Sequence, residues 1–508
     1  MVIYNNLKNI VKKIMSIPRL EKFYTVNYKN TQDYLYLPLI YSSKRHIYKE
    51  PIENLAIIIA IILISLTLLS YFSNISIYIY ISSFIAITYF IFMIFKVIVV
   101  LKSKTTDFIH ISNKDIGLIN ENDLPYYSVI IPLYKESEVV NQIKKAMMDI
   151  DYPKDKVEFI ITLEEYDDET IAAIDRANFP SNFRKLILPN VEPKTKPKAL
   201  NVALQELKGE FLVIYDAEII PDKNQLKKAY LAFLKKPDIA CFQTRLDHYN
   251  ADQNIITGLF NSEFSFYYDL FLPGLQKFDF PIPLSGHSTH FRISAIKDIG
   301  GWDPYNVAED CDIGIRLRRN GYRTSILDSM SKEEATSDIN SWIKQRTRWM
   351  KGFIQTSIVN LREPIRTKNE LGGWKNFIGF LITVPGTVIV NAFNFIYWVL
   401  LLIWFITSSP LIKESFPEPI LIISIISFVL GNLIFTYLNL IGSYSRDRFS
   451  IVKYILLSPI YWIVLSIATI RAMYQIVINP YSWEKTTHGK HIINENKTLI
   501  PIVNLVNK

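Results

Sequence analysis

The sequence predicts an α/β domain with a mostly parallel sheet, inserted between two clusters of membrane-spanning helices. Three observations predict it. Uncharged runs too long for soluble helices lie toward both ends, short β-branched segments alternate with amphipathic stretches between them, and acidic residues follow the strands. Composition averages over these parts: 49% of the 508 residues are hydrophobic and 20% charged, and 56 Lys+Arg against 48 Asp+Glu leave a net charge of +8. A chain this long exceeds one ordinary core. Two cysteines exclude a disulfide-stapled scaffold and a cysteine-rich zinc site. An aromatic content of 13% together with the apolar runs excludes disorder over most of the chain.

The first cluster begins at Asn54. No charged side chain occurs from there to Phe95, a stretch that as helix would reach roughly twice the ~30 Å hydrocarbon thickness of a bilayer. The polar break Ser73-Asn74 divides it into a helical hairpin over about 54–72 and 76–100. A cleaved signal peptide fits poorly, because the run starts late, is too long and lacks a small-residue cleavage site. At the other end, residues 376–412, 419–445 and 454–470 are uncharged. Pro385-Gly386 splits the first of these into a short interfacial piece and a span over about 387–408, and the second spans over about 419–442. The third contains Pro459 and ends at Arg471, which leaves open one span, a tight hairpin, or a span running into an interfacial helix. The expected total is five or six spans.

Basic residues orient these segments. Nine lysines and arginines precede Glu53, whereas the Ser73–Ser76 turn has none. The positive-inside rule therefore predicts a cytosolic N-terminus and a cytosolic 101–370 segment in a multi-pass protein of the cytoplasmic (inner or plasma) membrane. Arg446, Arg448 and Lys453 fit a cytosolic loop. The basic excess serves topology and contacts with anionic lipid or phosphate. Nucleic-acid binding is not expected, since no basic stripe interleaves with aromatics. A transporter would place polar or charged residues in its spans and show paired repeats, and neither is evident.

Between the clusters, Tyr127–Leu133, Val157–Leu163 and Phe211–Tyr215 read as strands, with helical patterns at Glu138–Met148 and Glu169–Ala177. Such alternation implies a mostly parallel sheet with crossover helices, and ligands of such sheets bind outside the carboxyl ends of the strands. Acids follow all three strands: Glu136, then Glu164-Glu165 with Asp167-Asp168, then Asp216 and Glu218. Any one group reads equally well as solvated turn acids; three groups on one sheet edge suit a site. Asp216 and Glu218, at i and i+2, can share a hard divalent cation such as Mg²⁺ or Mn²⁺ with phosphates completing the oxygen shell. No P-loop and no Gly-x-Gly-x-x-Gly fingerprint is present.

These residues resemble the membrane-embedded family 2 glycosyltransferases, the group of cellulose, chitin and hyaluronan synthases, and within it a bacterial branch of exopolysaccharide synthases and the phage-adsorption inner-membrane protein. The resemblance runs from about residue 126 to 356, with a further match near 480–489. Asp216-Ala217-Glu218 resembles the metal-binding D-x-D, with Glu last. Ala308-Glu309-Asp310 resembles T-E-D, with Ala for Thr, and Gln345–Trp349 matches Q-x-x-R-W. Pro132–Glu136 and Glu164–Asp168 resemble nucleotide-binding strand ends.

The resemblance implies a GT-A-type fold and inverting transfer of a sugar from a nucleoside diphosphate, with UDP expected, to a growing polysaccharide. Asp310 would be the general base, and Asp216 and Glu218 would hold the cation. Pro132, Tyr134, Glu136, Glu164, Lys198 and Asp216 would bind the donor nucleotide. Glu309, Gln345, Arg346, Arg348, Trp349 and His290 would serve the acceptor and diphosphate. Trp483, Lys485, Thr486 and His488 resemble a gating tail over the donor site, which requires an even number of spans after residue 345. The implied partners are a nucleotide-sugar donor, a polysaccharide or lipid acceptor, membrane lipids and accessory export subunits.

Other readings compete residue by residue. Asp310 is also a natural acid for a helix N-terminus, Arg346 and Arg348 suit membrane-surface anchoring, and Trp349 an interfacial aromatic. His287 and His290 lie in a polar loop and read as hydrogen-bonding groups, not zinc ligands. Cys241 and Cys311 read as packed. Transfer to a lipid acceptor is the alternative to polymerisation, and a non-catalytic receptor or docking protein would keep the fold without needing the base. The expected organisation is a cytosolic segment over 1–52, a hairpin over 53–101, the catalytic domain over 102–345, interfacial helices over 346–385, a membrane region over 386–478 and a cytosolic tail over 479–508.

Overall fold

A computed structural model describes residues 23–25, 36–38, 42–43, 64–73, 75–103, 108–190, 193–482 and 484. Its centre is a seven-stranded sheet. Strands β1 (Tyr127–Leu133), β2 (Val157–Glu164), β3 (Phe183–Leu188), β4 (Phe211–Ile214), β5 (Ile239–His248), β6 (Thr289–Arg292) and β7 (Arg323–Glu333) lie in the order β3-β2-β1-β4-β6-β5-β7. The first four are mutually parallel; β6 runs antiparallel to β4 and β5, and β5 pairs parallel with β7. Six strands thus share a direction, and the carboxyl ends of β1, β2, β4, β5 and β7 collect on one edge with the loop that enters β6.

Local sequence explains the central layer. YSVIIPL and VEFIITLE are almost continuously apolar and buried along their length, as strands covered on both faces must be. The one charged residue inside β2, Glu158, is paired: it accepts from the Ser128 hydroxyl at 2.6 Å and the Lys208 amide at 2.7 Å. The β1–β2 and β2–β3 crossovers carry the amphipathic helices α2 (Val140–Met148) and α3 (Asp168–Ala177), the latter capped by Asp167.

α1 (Ile77–Lys102) brings the first apolar cluster to the sheet domain. Gly274 makes this docking possible, because a Cβ there would fall 2.2 Å from the Val99 carbonyl oxygen. Beyond the sheet, α8 (Ile339–Leu361), α9 (Pro385–Thr407), α10 (Glu418–Tyr444) and α11 (Ser458–Ile478) follow. Between β3 and α8 lie α4 (Lys196–Glu206), α5 (Gln225–Lys235), α6 (Ile255–Phe266) and α7 (Glu309–Arg319).

Among the described residues, α1, α9, α10 and α11 are long and apolar enough to cross a membrane. Their ends distinguish them. The α9–α10 turn reaches the far end of α1, where Ser82 donates to the Ser415 carbonyl oxygen. α10 then returns, and Arg446 just beyond it binds Asp269 (2.6 Å) in the sheet domain.

The last apolar helix, one continuous stretch rather than a tight hairpin, makes contacts at both of its ends. At its start Tyr461 donates to Glu263 (2.6 Å), and just past its end Pro480 accepts from Gln355 of α8 (3.1 Å). Trp342 and Lys351 of α8 meet Tyr461 and Gln475 along its length. Both ends of α11 therefore contact helices that pack beside the sheet; against the expected five or six spans, four helices among the described residues are long and apolar enough to cross. The hairpin's first arm is described only from Ile64, as the helix Ile64–Ser73. The boundary expected at residue 345 falls inside α8, which is continuous from Ile339 because Asp338 caps it through the Ser341 amide (2.8 Å).

Candidate active site

The carboxyl edge of the sheet opens into a cavity of about 710 Å³ that continues between the apolar helices. On one side the ends of β1 and β2 supply Pro132, Tyr134, Glu136 and Glu164. The chain turns sharply there: Lys135 has φ 54°, and its amide donates to Asp167 at 2.5 Å. Tyr134 and Tyr166 meet edge to face with centroids 5.9 Å apart, and the Lys194 ammonium lies 4.3 Å from the Tyr166 ring centre. An aromatic, half-buried pocket edged by carboxylates is suited to a nucleobase and ribose.

Below it, the chain leaving β4 passes through Tyr215 and delivers Asp216 and Glu218 to the cavity. Lys196, the first residue of α4, bonds Asp216 Oδ1 at 2.5 Å and the Gly286 carbonyl oxygen at 3.0 Å, and pairs with Glu309 at 3.5 Å. Burial works against its charge, but Asp216, Glu309 and Asp310 outweigh that and raise its pKa. The Glu218 carboxyl is held well above the usual range by burial and then by Asp216 and Glu333. This surplus of acid fits a cation. Among the described residues no three His, Cys, Asp or Glu side chains form a metal site, so Asp216 and Glu218 would bind such a cation only with phosphate oxygens completing its shell.

Asp310 stands in the first turn of α7 and lines the same cavity. Burial, then the adjoining Glu309 charge, push its pKa up to about 7, against the opposing pull of the Cys311 amide, Lys196 and Arg348. Gly286 lets the loop before β6 close over it: a Cβ there would lie 3.0 Å from Asp310 Oδ2. Ala308, which stands where the resembling motif has Thr, abuts α8 at Gly352. A Cβ on Gly352 would fall 2.2 Å from that of Ala308, so this contact has no room for a larger pair.

On α8, Gln345, Arg348 and Trp349 face the cavity, as their i, i+3, i+4 spacing allows. Arg348 reaches Asp310 electrostatically, and among the described residues its one hydrogen bond is a 3.5 Å contact to the Val307 carbonyl oxygen. Trp349 packs on Phe260 and Phe264 and turns its remaining surface to the cavity.

Three assignments change. Arg346 borders the cavity, but its guanidinium is held by both Glu263 oxygens and by Tyr461, and it stacks 4.5 Å from the Trp349 ring centre; it anchors α8 and is not free for diphosphate. His290 is fully buried on the inner side of β6, 2.6 Å from the Tyr127 hydroxyl; His287 is the cavity histidine, held neutral by burial, which lowers its pKa to about 3, and bonded to Tyr268 at 2.6 Å. Lys198 is wholly buried and pairs with Glu164 at 2.8 Å, so it positions that carboxylate from behind. Lys196, two residues earlier, is the lysine of this motif that faces the site, and only the number of acids around Asp216 signals it in the sequence. Cys241 and Cys311 are buried and free, as expected. The tail residues Trp483, Lys485, Thr486 and His488 lie outside the described residues.

Comparison with known proteins bears on the same region. The family model described as "Glycosyl transferase family group 2" matches residues 211–474, from β4 through α8 to α11. The "Probable glycosyltransferase YdaM" of Bacillus subtilis (strain 168) is 28% identical over 236 residues, which cover 46% of this chain and 56% of that protein, so the match spans little more than half of its length. Among solved structures, the mannosyltransferase PcManGT from Pyrobaculum calidifontis, in complex with GDP-Man and Mn²⁺, aligns with a TM-score of 0.48 and 18% identity over 70% of this chain and 88% of its own. S. aureus TarS 1-349 aligns with a TM-score of 0.36 and 17% identity over 66% and 90%. With more than half of its residues matched by the family model, the chain belongs to glycosyl transferase family group 2.

Proposed function

We propose that the protein is an inverting glycosyltransferase that moves a sugar from a nucleoside-diphosphate donor, UDP-linked, to a carbohydrate hydroxyl on a growing glycan at the cytoplasmic membrane, with its site on the cytosolic face. The observation that carries this reading is Asp310, a carboxylate with a pKa near 7 in a cavity that it shares with Lys196, Asp216 and Arg348. The acceptor oxygen attacks the anomeric carbon, the bond to the diphosphate breaks, and the hydroxyl proton passes to an Asp310 oxygen. Lys196 and Arg348 stabilise charge on the departing diphosphate. Asp216 and Glu218 would hold a divalent cation, which would supply Lewis-acid stabilisation to the same group.

Tyr134, Glu136 and Glu164 orient the nucleotide, and Trp349 offers a face on which an acceptor sugar packs. The basic Arg446 and Arg448, bound to Asp269 and Asp247 on the sheet-domain side, support the cytosolic orientation. Purified membranes incubated with a panel of labelled nucleotide sugars, with Mg²⁺ or Mn²⁺ and with chelator, test the reading. Label should move from one uridine-linked sugar to a glycan product in a cation-dependent way; label released only to water, or no turnover of any donor, overturns it.

A further inference from the structure

The loop that leads into α7 decides where Asp310 stands, and that loop is held from outside its own helix. Ala308 opens α7 without a side-chain cap, so the entry of the chain is not fixed in the usual way. α8 fixes it instead. Ala308 lies against Gly352 with no space for a Cβ on the glycine. Asn306, wholly buried, donates to the Thr356 hydroxyl at 3.0 Å and accepts the Ala308 amide at 2.9 Å.

Gln355 completes the attachment. Its side chain is wholly buried, and its one amide serves three backbone groups: Oε1 accepts from the Val307 amide at 2.9 Å, and Nε2 donates to the Tyr305 and Pro480 carbonyl oxygens, both at 3.1 Å. The carbonyl and both N–H groups of the amide are thereby used, a match that a carboxylate, with no donor, and a hydrocarbon cannot make. Arg348 lies two turns earlier on the same helix and meets the Val307 carbonyl oxygen at 3.5 Å. Val307, three residues before Asp310, is therefore held at its N–H by Gln355 and at its C=O by an arginine that lines the cavity. The same amide draws in the chain past α11, where Tyr481 lines the cavity and meets Tyr305 edge to face with centroids 5.3 Å apart.

We infer that Gln355 is a positioning residue for the transfer: it sets residues 305–307 in register on α8 and so places the Asp310 carboxylate against the acceptor hydroxyl. This deepens the reaction proposed above and rests on that reading. Gln355 acts through Asp310 and exchanges no proton itself. A general base works only within hydrogen-bond reach of the proton it takes, and a misplacement of about 1 Å can cost about 10²-fold in rate. Loss of the three bonds should therefore slow the chemical step and leave the nucleotide pocket at the ends of β1 and β2 intact.

The test is a double-mutant cycle on the full chain in membranes, with sugar transfer measured per UDP-binding site. Gln355→Met keeps the length of the side chain and loses all three bonds; kcat should fall roughly 10- to 100-fold while UDP affinity stays within about twofold of wild type. In an Asp310→Asn background the same substitution should cost less than about threefold, because no base is left to place. Equal fold losses in the two backgrounds would mark a purely structural role and overturn the assignment. So would an unchanged kcat in Gln355→Met, or a loss confined to UDP affinity. Should Gln355→Met bind no UDP, Gln355→Asn, which keeps an amide but is one carbon too short for all three partners, takes its place in the cycle. Failure of both variants to bind UDP would show that the amide holds the fold and not the base, which also overturns the assignment. No transfer by wild type, or an Asp310→Asn variant as fast as wild type, counts against the proposed reaction itself, whereas an essential Asp310 with independent losses counts against Gln355 alone.

Discussion

Replacing Lys196 with Met removes the one cation that, among the described residues, bonds Asp216 while facing Glu309 and Asp310. Its Nζ is 2.5 Å from Asp216 and 3.5 Å from Glu309, and the lysine side chain is only 20% exposed. The three carboxylates then confront an incoming diphosphate with like charge. A hydrogen bond to a charged group contributes about 1.5–3 kcal/mol, so UDP affinity should fall roughly 10- to 150-fold. A second effect has a definite sign. Lys196 pulls the Asp310 pKa down from where burial and Glu309 would set it, so its loss raises that pKa above about 7 and moves the rise of kcat/KM to higher pH. Titration calorimetry with UDP at pH 8 and a pH profile of transfer measure the two effects, and Lys196→Arg should restore much of both. Wild-type UDP affinity together with an unmoved profile in Lys196→Met would refute the placement of this lysine at the diphosphate.

Two further substitutions separate support from chemistry. Lys198→Met strands Glu164, since the pair is buried at both ends; it should destabilise the protein by about 3–5 kcal/mol, seen as a lower melting temperature in detergent, and a melt unchanged from wild type would return Lys198 to the nucleotide. Arg346→Lys keeps the charge but loses the two-pronged grip on Glu263 and the stacking on Trp342 and Trp349; a stability loss of about 1–3 kcal/mol with UDP affinity unchanged is expected, and the reverse pattern would restore a diphosphate role.

What was legible in the sequence was what depends on local pattern. The strands YSVIIPL, VEFIITL and FLVIY are where period and β-branching put them, and the acids after them reach one edge because parallel strands share a direction. Long uncharged runs located α9 and α10 to within a few residues. Direction in space was less legible. Lys196 and Lys198 share one motif, and which of them faces the cavity depends on how α4 leaves the sheet. Arg346 lies a quarter-turn from the stripe of Gln345, Arg348 and Trp349, and its partner Glu263 is remote in sequence, so the motif did not report the pairing. The run that became α11 is as apolar as a span, but the contacts at both its ends are tertiary. His290 occupies a four-residue strand whose alternation turns it toward Tyr127, away from the cavity.

The central claim is that the carboxylate of Asp310 takes the acceptor proton. Wild-type kcat/KM should rise with pH through about 7 and level off above it, because the basic form of a carboxyl exists above its pKa. Asp310→Asn keeps the shape and removes the base, so the most direct measurement is its rate of sugar transfer at pH 8, with UDP binding followed on the same preparation. A general base contributes about 10²- to 10⁴-fold, so transfer should drop by that factor while UDP affinity stays near wild type. Transfer at the wild-type rate by a variant that binds UDP normally would contradict the account.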